Sequence, residues 1–170
     1  MSHLLHVKTV VANPAELEGS TDYIYRFALP NQAADFTFGD SIKLIGYDLS
    51  TTTVKAGEEI SFRPYWKLVN PIGKNLSFFF QLYSLQDVEA GQPKVLGQFD
   101  TTPMHNTNAP TSTWQDTNEV YLGNPFSFTV PAGLPSGKYV LAFGLYDYLT
   151  GERLQGQDGG TYYRIDIQVS

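Results

Sequence analysis

The chain has 170 residues, a net charge of −6, no cysteine, 14% aromatic and only 16% charged residues. A core of this size buries about two-thirds of the surface that the unfolded chain exposes, and the aromatic content excludes a disordered or coiled-coil chain. The scattered Lys and Arg residues form no stripe that could follow a phosphate backbone, and the lack of cysteine removes disulfides, thiolate nucleophiles and cysteine zinc sites together.

Residues 1–20 lack a clean period and close on PAELEGS, which predicts a linker or docked arm ahead of a single β-sandwich domain over 21–170. The opening MSHLLHVKTVV has no cationic flank, long apolar core or small-residue cleavage site of a signal peptide. No apolar run approaches the ~20 residues of a membrane span. Residues 22–29 (DYIYRFAL) predict a first strand, and 30–40 reads as a connection ending in the Gly39-Asp40 turn signal. Over 41–50, Ile42, Leu44 and Gly46 alternate with Lys43, Ile45 and Tyr47, and the chain then turns at Gly57.

Two strong strands follow. In the first, Ile60, Phe62, Trp66 and Leu68 oppose Ser61, Arg63, Tyr65 and Lys67; in the second, Leu76, Phe78, Phe80 and Leu82 oppose Ser77, Phe79, Gln81 and Tyr83. The short NPIGKN between them suits antiparallel neighbours. Residues 94–100 predict another short strand, and the Thr-, Asn- and Pro-rich 101–119 the longest loop. After a strand at 126–130, residues 137–154 alternate Tyr139, Leu141, Phe143 and Leu145 with Val140, Ala142, Gly144 and Tyr146, then turn through Asp147 and Thr150-Gly151 into Arg153. A final strand covers 161–169, and no amphipathic helix is expected. Eight or nine short strands separated by turn signals predict an all-β, antiparallel sandwich, immunoglobulin-like or jelly-roll-like. Its expected core is Ile60, Phe62, Trp66, Phe78, Phe80, Leu82, Tyr139, Leu141, Phe143 and Leu145.

The phrases FGDSIKLIGYDL, VKAGEEISFRPYWKL, SFFFQLYS, GQFDTTP, APTSTW and SGKYVLAFGLYDYLTGERL, spread over 36–169, resemble the extracytoplasmic β-sandwich of bacterial, Chloroflexi-like membrane glycosyltransferases of the dolichyl-phosphate-mannose mannosyltransferase type. The resemblance implies a non-catalytic accessory domain outside the membrane, with the transferase chemistry elsewhere in the parent protein. Its implied partners are a polysaccharide or other glycan and the parent membrane domain. This chain departs from the family pattern at Pro64, which predicts an edge strand or bulge, and after Asp100, where the usual glycine before APT is missing.

The outward-facing residues supply the candidate site. Were the strands around Tyr65, Phe79 and Tyr146 to share one sheet, its face would carry Arg63, Tyr65, Phe79, Gln81, Tyr83 and Tyr146 over a floor of Ala142 and Gly144. Aromatic planes beside Gln and Arg suit the apolar C–H patches and hydroxyls of a sugar. The alternative is a covered face that serves as a protein-interaction or spacer surface. Trp114 in the long loop is either a further stacking platform or, the better reading, a plug for the end of the sandwich. Asp100, His105, Asp116 and Glu119 offer ligands suited to calcium, but without the dense spacing of a calcium loop, so no metal or other cofactor is expected. Asp147 reads as a turn residue. A hydrolase is the least favoured function, since no triad types pair and no spacing marks a carboxylate couple.

Overall fold

Alternation of large apolar and polar side chains sorts the chain into two sheets packed face to face. The computed structural model describes residues 7–8, 30–105 and 109–170. Its elements are β1 (Val7–Lys8), β2 (Gln32–Phe38), β3 (Ile42–Leu49), β4 (Thr53–Val54), β5 (Glu59–Leu68), β6 (Leu76–Ser84), the short helix α1 (Leu85–Glu89), β7 (Gly97–Thr101), β8 (Val120–Leu122), β9 (Phe126–Thr129), β10 (Gly137–Asp147) and β11 (Tyr163–Val169). One sheet runs β1-β8-β5-β3-β2, with β9 also paired to β5; the other runs β4-β11-β10-β6-β7. These are called the β5 sheet and the β10 sheet below. The fold is the expected all-β sandwich. The strand expected at 22–29 lies outside the described residues, and Val7–Lys8 of the expected arm pair in parallel with β8.

All ten expected core residues are buried. The centre is a cluster of rings contributed by both sheets. Phe62 of β5 lies 4.9 Å from Phe143 of β10 and 5.1 Å from Phe80 of β6, while Phe126 of β9 lies 5.4 Å from Phe80. Trp66 packs edge-on to Phe78 and donates its indole N–H to the Pro103 carbonyl at 3.0 Å, so the one polar atom of the ring is satisfied inside the core.

Four expectations about topology are corrected. Residues 32–38 form β2, where a connection was expected: Phe36 and Phe38 drive inward although the segment begins with small and polar residues. NPIGKN does not join neighbours, because β5 and β6 belong to different sheets and the loop carries the chain across the sandwich. Pro64 lies on a central strand, not an edge. The pairing of β5 passes there from β9, whose first residue Phe126 lies opposite Phe62, to β8, whose last residue Leu122 lies opposite Tyr65, so a residue without an N–H falls between two partners. The strict alternation over 41–50 breaks at Ile45, where the register slips between Leu44 and Gly46. The bulge turns Tyr47 and Leu49 into the core beside Leu44 and sends Asp48 outward. A five-residue helix, α1, follows β6, with Ser84 Oγ accepting from the Asp87 N–H at its start.

The loop 153–160 leaves the β10 sheet and closes the open edge of the other sheet. Phe38 forms an antiparallel bridge with Gly156. The Gln157 side-chain amide accepts from the Thr37 N–H at 2.9 Å and donates to the Asp35 carbonyl at 3.1 Å, imitating the strand that β2 lacks. Gly156 is needed for this approach, since a Cβ there would run into the Phe36 ring. Gly156→Ala is therefore expected to cost about 1–3 kcal/mol, as overpacking of a close contact does. Urea unfolding monitored by circular dichroism measures it, and an unchanged midpoint would refute the account.

Candidate binding face

The two sheets divide the residues that the sequence reading grouped. Arg63 and Tyr65 lie on the outer side of the β5 sheet, whereas Phe79, Gln81, Tyr83 and Tyr146 lie on the outer side of the β10 sheet. The shared face across all six does not exist, because β5 pairs with β3, β8 and β9 and never with β6 or β10. Tyr65 is buried, and its hydroxyl donates to Asp48 Oδ2 at 2.7 Å. Burial first, and then the Asp48 carboxylate, pushes its phenol up to about 12, with Arg63 acting in the opposite sense.

On the outer side of the β10 sheet the side chains form a connected patch. Tyr83 Oη donates to Gln81 Oε1 at 2.6 Å, and Arg153 Nη2 donates to the same oxygen at 2.9 Å. Gln81 Nε2 points to Gln98 Oε1 at 3.4 Å. The Arg153 guanidinium lies 3.9 Å above the centre of the Phe79 ring, a cation–π contact. Tyr146, with its ring 6.4 Å from Phe79, donates its hydroxyl to Asp100 Oδ2 at 3.2 Å. Burial raises the phenol pKa of Tyr146; a hydrogen bond from Ser77 opposes this, and Asp100 reinforces it.

The expected floor of Ala142 and Gly144 is not open. Both are buried, and a Cβ on Gly144 would sit 2.7 Å from the Thr161 carbonyl oxygen and 2.8 Å from the Phe79 ring. Leu85 and Val88 of α1, together with Tyr162, cover Tyr83, Val140 and Ala142. Phe79, Gln81 and Tyr83 therefore support the patch from beneath. Its solvent side is Arg153, Asp100, Gln98 and the half-buried Tyr146, with Tyr148 beyond it at 68% exposure. Arg153, Gln98 and Tyr148 are not among the candidates expected from the sequence, where Asp100 stands only among the possible metal ligands. Arg153 was within reach: the hairpin turn, once recognised, sets it opposite Tyr146 on the same face. Asp100 and Gln98 were not, because only the pairing of β7 with β6 brings them beside Phe79 and Gln81.

The remaining candidates have local roles. Trp114 is 1% exposed, stacks on Tyr121 at 4.1 Å and 5°, and donates its indole N–H to the Ala109 carbonyl at 3.0 Å. It is the plug, not an open platform. Asp116 Oδ1 accepts from the Asn118 N–H at 2.8 Å, shaping the turn before β8. The His105 ring contacts Thr101 Oγ1 through Nδ1 at 2.9 Å and packs against Phe99 and Phe126. Among the described residues, no group of three or more His, Cys, Asp and Glu side chains could hold a metal ion. Asp147 is the turn residue expected. Its carboxylate accepts from the Leu149 N–H at 2.9 Å and meets Lys74 Nζ at 3.1 Å, contacts that hold it below the ordinary carboxylate range, while Gly151 takes a positive φ of 74°.

No family model matches the chain, and no curated protein matches it in sequence. Among solved structures, the fold is similar to that of the C-terminal domain of wzt, with a TM-score of 0.50 and 14% identity over 84% of this chain and 82% of that one. Weaker likenesses join it to a Niemann-Pick type C2 protein from the Japanese carpenter ant (TM-score 0.42, 8% identity, 84% of this chain and 98% of that one) and to a CARDB domain from Pyrococcus furiosus in complex with di-metal ions (TM-score 0.36, 14% identity, 88% and 100%).

Two predictions follow from the loop. Trp114→Ala is expected to cost about 3–5 kcal/mol, the usual range for a buried Trp, read from chemical unfolding; a loss within experimental error would contradict the plug. Burial lowers the pKa of His105 from 6.5, so the unfolded chain takes up this proton at higher pH than the folded one does. Its contribution is fully present above about pH 6.5 and declines as the pH falls through that value. The urea midpoint should drop between pH 7.5 and 5.5, and His105→Asn, a residue that tolerates the positive φ of 42° found there, should flatten that slope.

Proposed function

We propose that this chain is a non-catalytic accessory module that binds a glycan on the outer face of the β10 sheet and serves a membrane glycosyltransferase-like parent protein on the extracytoplasmic side. The observation that carries the binding part is the patch of Arg153, Phe79, Gln81, Tyr146 and Asp100, tied together by hydrogen bonds and ring contacts. Tyr146 and Tyr148 offer ring surface to the C–H patches of a sugar, while Asp100, Gln98 and Arg153 offer acceptors and donors to its hydroxyls. The groups are held in place before a ligand arrives, which lowers the entropy lost on binding. The Asp100 carboxylate is engaged by the Tyr146 phenol, a contact that suits a binding group.

The accessory part rests on the strand and turn phrases over 36–169 and on the sandwich shared with a domain that is itself the C-terminal part of a longer protein. No helix among the described residues is long and apolar enough to cross a membrane; in this reading the membrane-spanning part belongs to the parent.

A second reading draws on the tip of the β10 hairpin. Tyr148 and Leu149 are 68% and 87% exposed, on a turn pinned by the Tyr148 N–H to the Asn75 carbonyl at 3.1 Å. Such a tip suits a protein-contact or spacer module with no affinity for sugar.

Calorimetric titration against a panel of bacterial polysaccharides separates the two. Saturable binding is expected, weakened at least ~10-fold (about 1.4 kcal/mol) by Tyr146→Ala and left intact by Leu149→Ser. The absence of saturable binding to any polysaccharide would remove the glycan reading and leave the contact module. Membrane spans in the reading frame flanking this sequence are the check on the parent enzyme.

A further inference from the structure

The patch sets one cationic and one anionic group around the same aromatic support. Arg153 is held at a fixed height by the Phe79 ring and in orientation by Gln81, whose oxygen is itself positioned by Tyr83. A guanidinium has five N–H donors in a plane, and among the described residues its one hydrogen-bond acceptor is Gln81 Oε1. Asp100 spends Oδ2 on the Tyr146 hydroxyl, and Oδ1 makes no further hydrogen bond among the described residues. Register places Asp100 opposite Phe79, the ring on which Arg153 rests, so donor and acceptor flank one support.

We infer that the patch reads a neutral pyranose chain through its hydroxyls, one donating to Asp100 Oδ1 and another accepting from the Arg153 guanidinium, and that it rejects chains of uronic acid. The inference rests on the glycan reading and narrows it to a ligand class. A hydroxyl donating to a carboxylate and one accepting from a guanidinium are both charge-assisted, so a neutral chain uses both ends of the patch. A uronate would use Arg153 alone. An exposed Arg–carboxylate pair is worth little, and the same carboxylate also meets the like charge of Asp100, so the two contributions offset each other. The net charge of −6 opposes a polyanion further.

The test titrates the wild-type chain, Asp100→Asn and Arg153→Lys against mannan, galactan and dextran on one side, and alginate and polygalacturonate on the other. The expected result is saturable wild-type binding to at least one neutral polymer and none to the polyuronates. Each variant should bind that neutral polymer at least ~10-fold more weakly at an unchanged melting temperature. Arg153→Lys keeps the charge but loses the planar fork, so its loss reports on geometry, and it stands in should Asp100→Asn fail to fold. Wild-type binding to a polyuronate as tight as to any neutral polymer, or neutral binding unmoved in both variants, overturns the inference and leaves the glycan reading standing. No binding to any of the five polymers overturns both.

Discussion

The ring cluster around Phe62 is the contact on which the rest of the structure depends. Phe62 and Phe126 come from the β5 sheet, Phe78, Phe80 and Phe143 from the β10 sheet, and their centroids lie 4.9–6.3 Å apart. A buried Phe contributes about 1.5–3 kcal/mol by leaving water, and a well-placed ring pair about 0.5–1.5 kcal/mol more. Once these side chains point inward, the period of two sends Phe79, Gln81, Tyr83 and Tyr146 to the opposite side of the β10 sheet. The outer patch is thus a consequence of the core: slipping β6 or β10 by one residue would exchange the two.

The loop 153–160 joins two duties that look separate. At one end Arg153 lies across Phe79 and reaches Gln81; at the other, Gln157 and Gly156 complete the β2 edge of the opposite sheet. Closure of the sandwich and placement of the guanidinium depend on the same eight residues, so edge protection and the candidate patch share one stretch of backbone. This is also why β6 is buried on both faces. Its inner side meets the rings, and its outer side meets Arg153 along part of its length and α1 at the end where Tyr83 lies.

What was legible in the chain follows the length of each alternating run. β5, β6 and β10 span nine to eleven residues of regular alternation, and their inward residues were all read correctly. β2 has only Phe36 and Phe38 to mark its inner side, and three-residue β8 and five-residue α1 are too short to show a period. The bulge at Ile45 inverted the reading of Tyr47 because an added residue leaves no trace in composition. Of the two readings of Trp114, the structure takes the plug, and Asp147 is a turn residue, since local packing and turn chemistry account for both.

The sequence by itself determined that this is an all-β sandwich, which side chains fill it, and that Tyr146 stands on the side of its strand away from the core. These follow from a period of two and from apolar transfer, which act over neighbouring residues. Only the tertiary structure decided which strands share a sheet. It removed Arg63 and Tyr65 from the candidate face and brought Asp100, Gln98 and Arg153 into it. Strand order is a matter of long-range pairing, chosen by how two whole sheets pack, and on the candidate face it brings together residues as distant in sequence as Gln81 and Arg153, 72 positions apart.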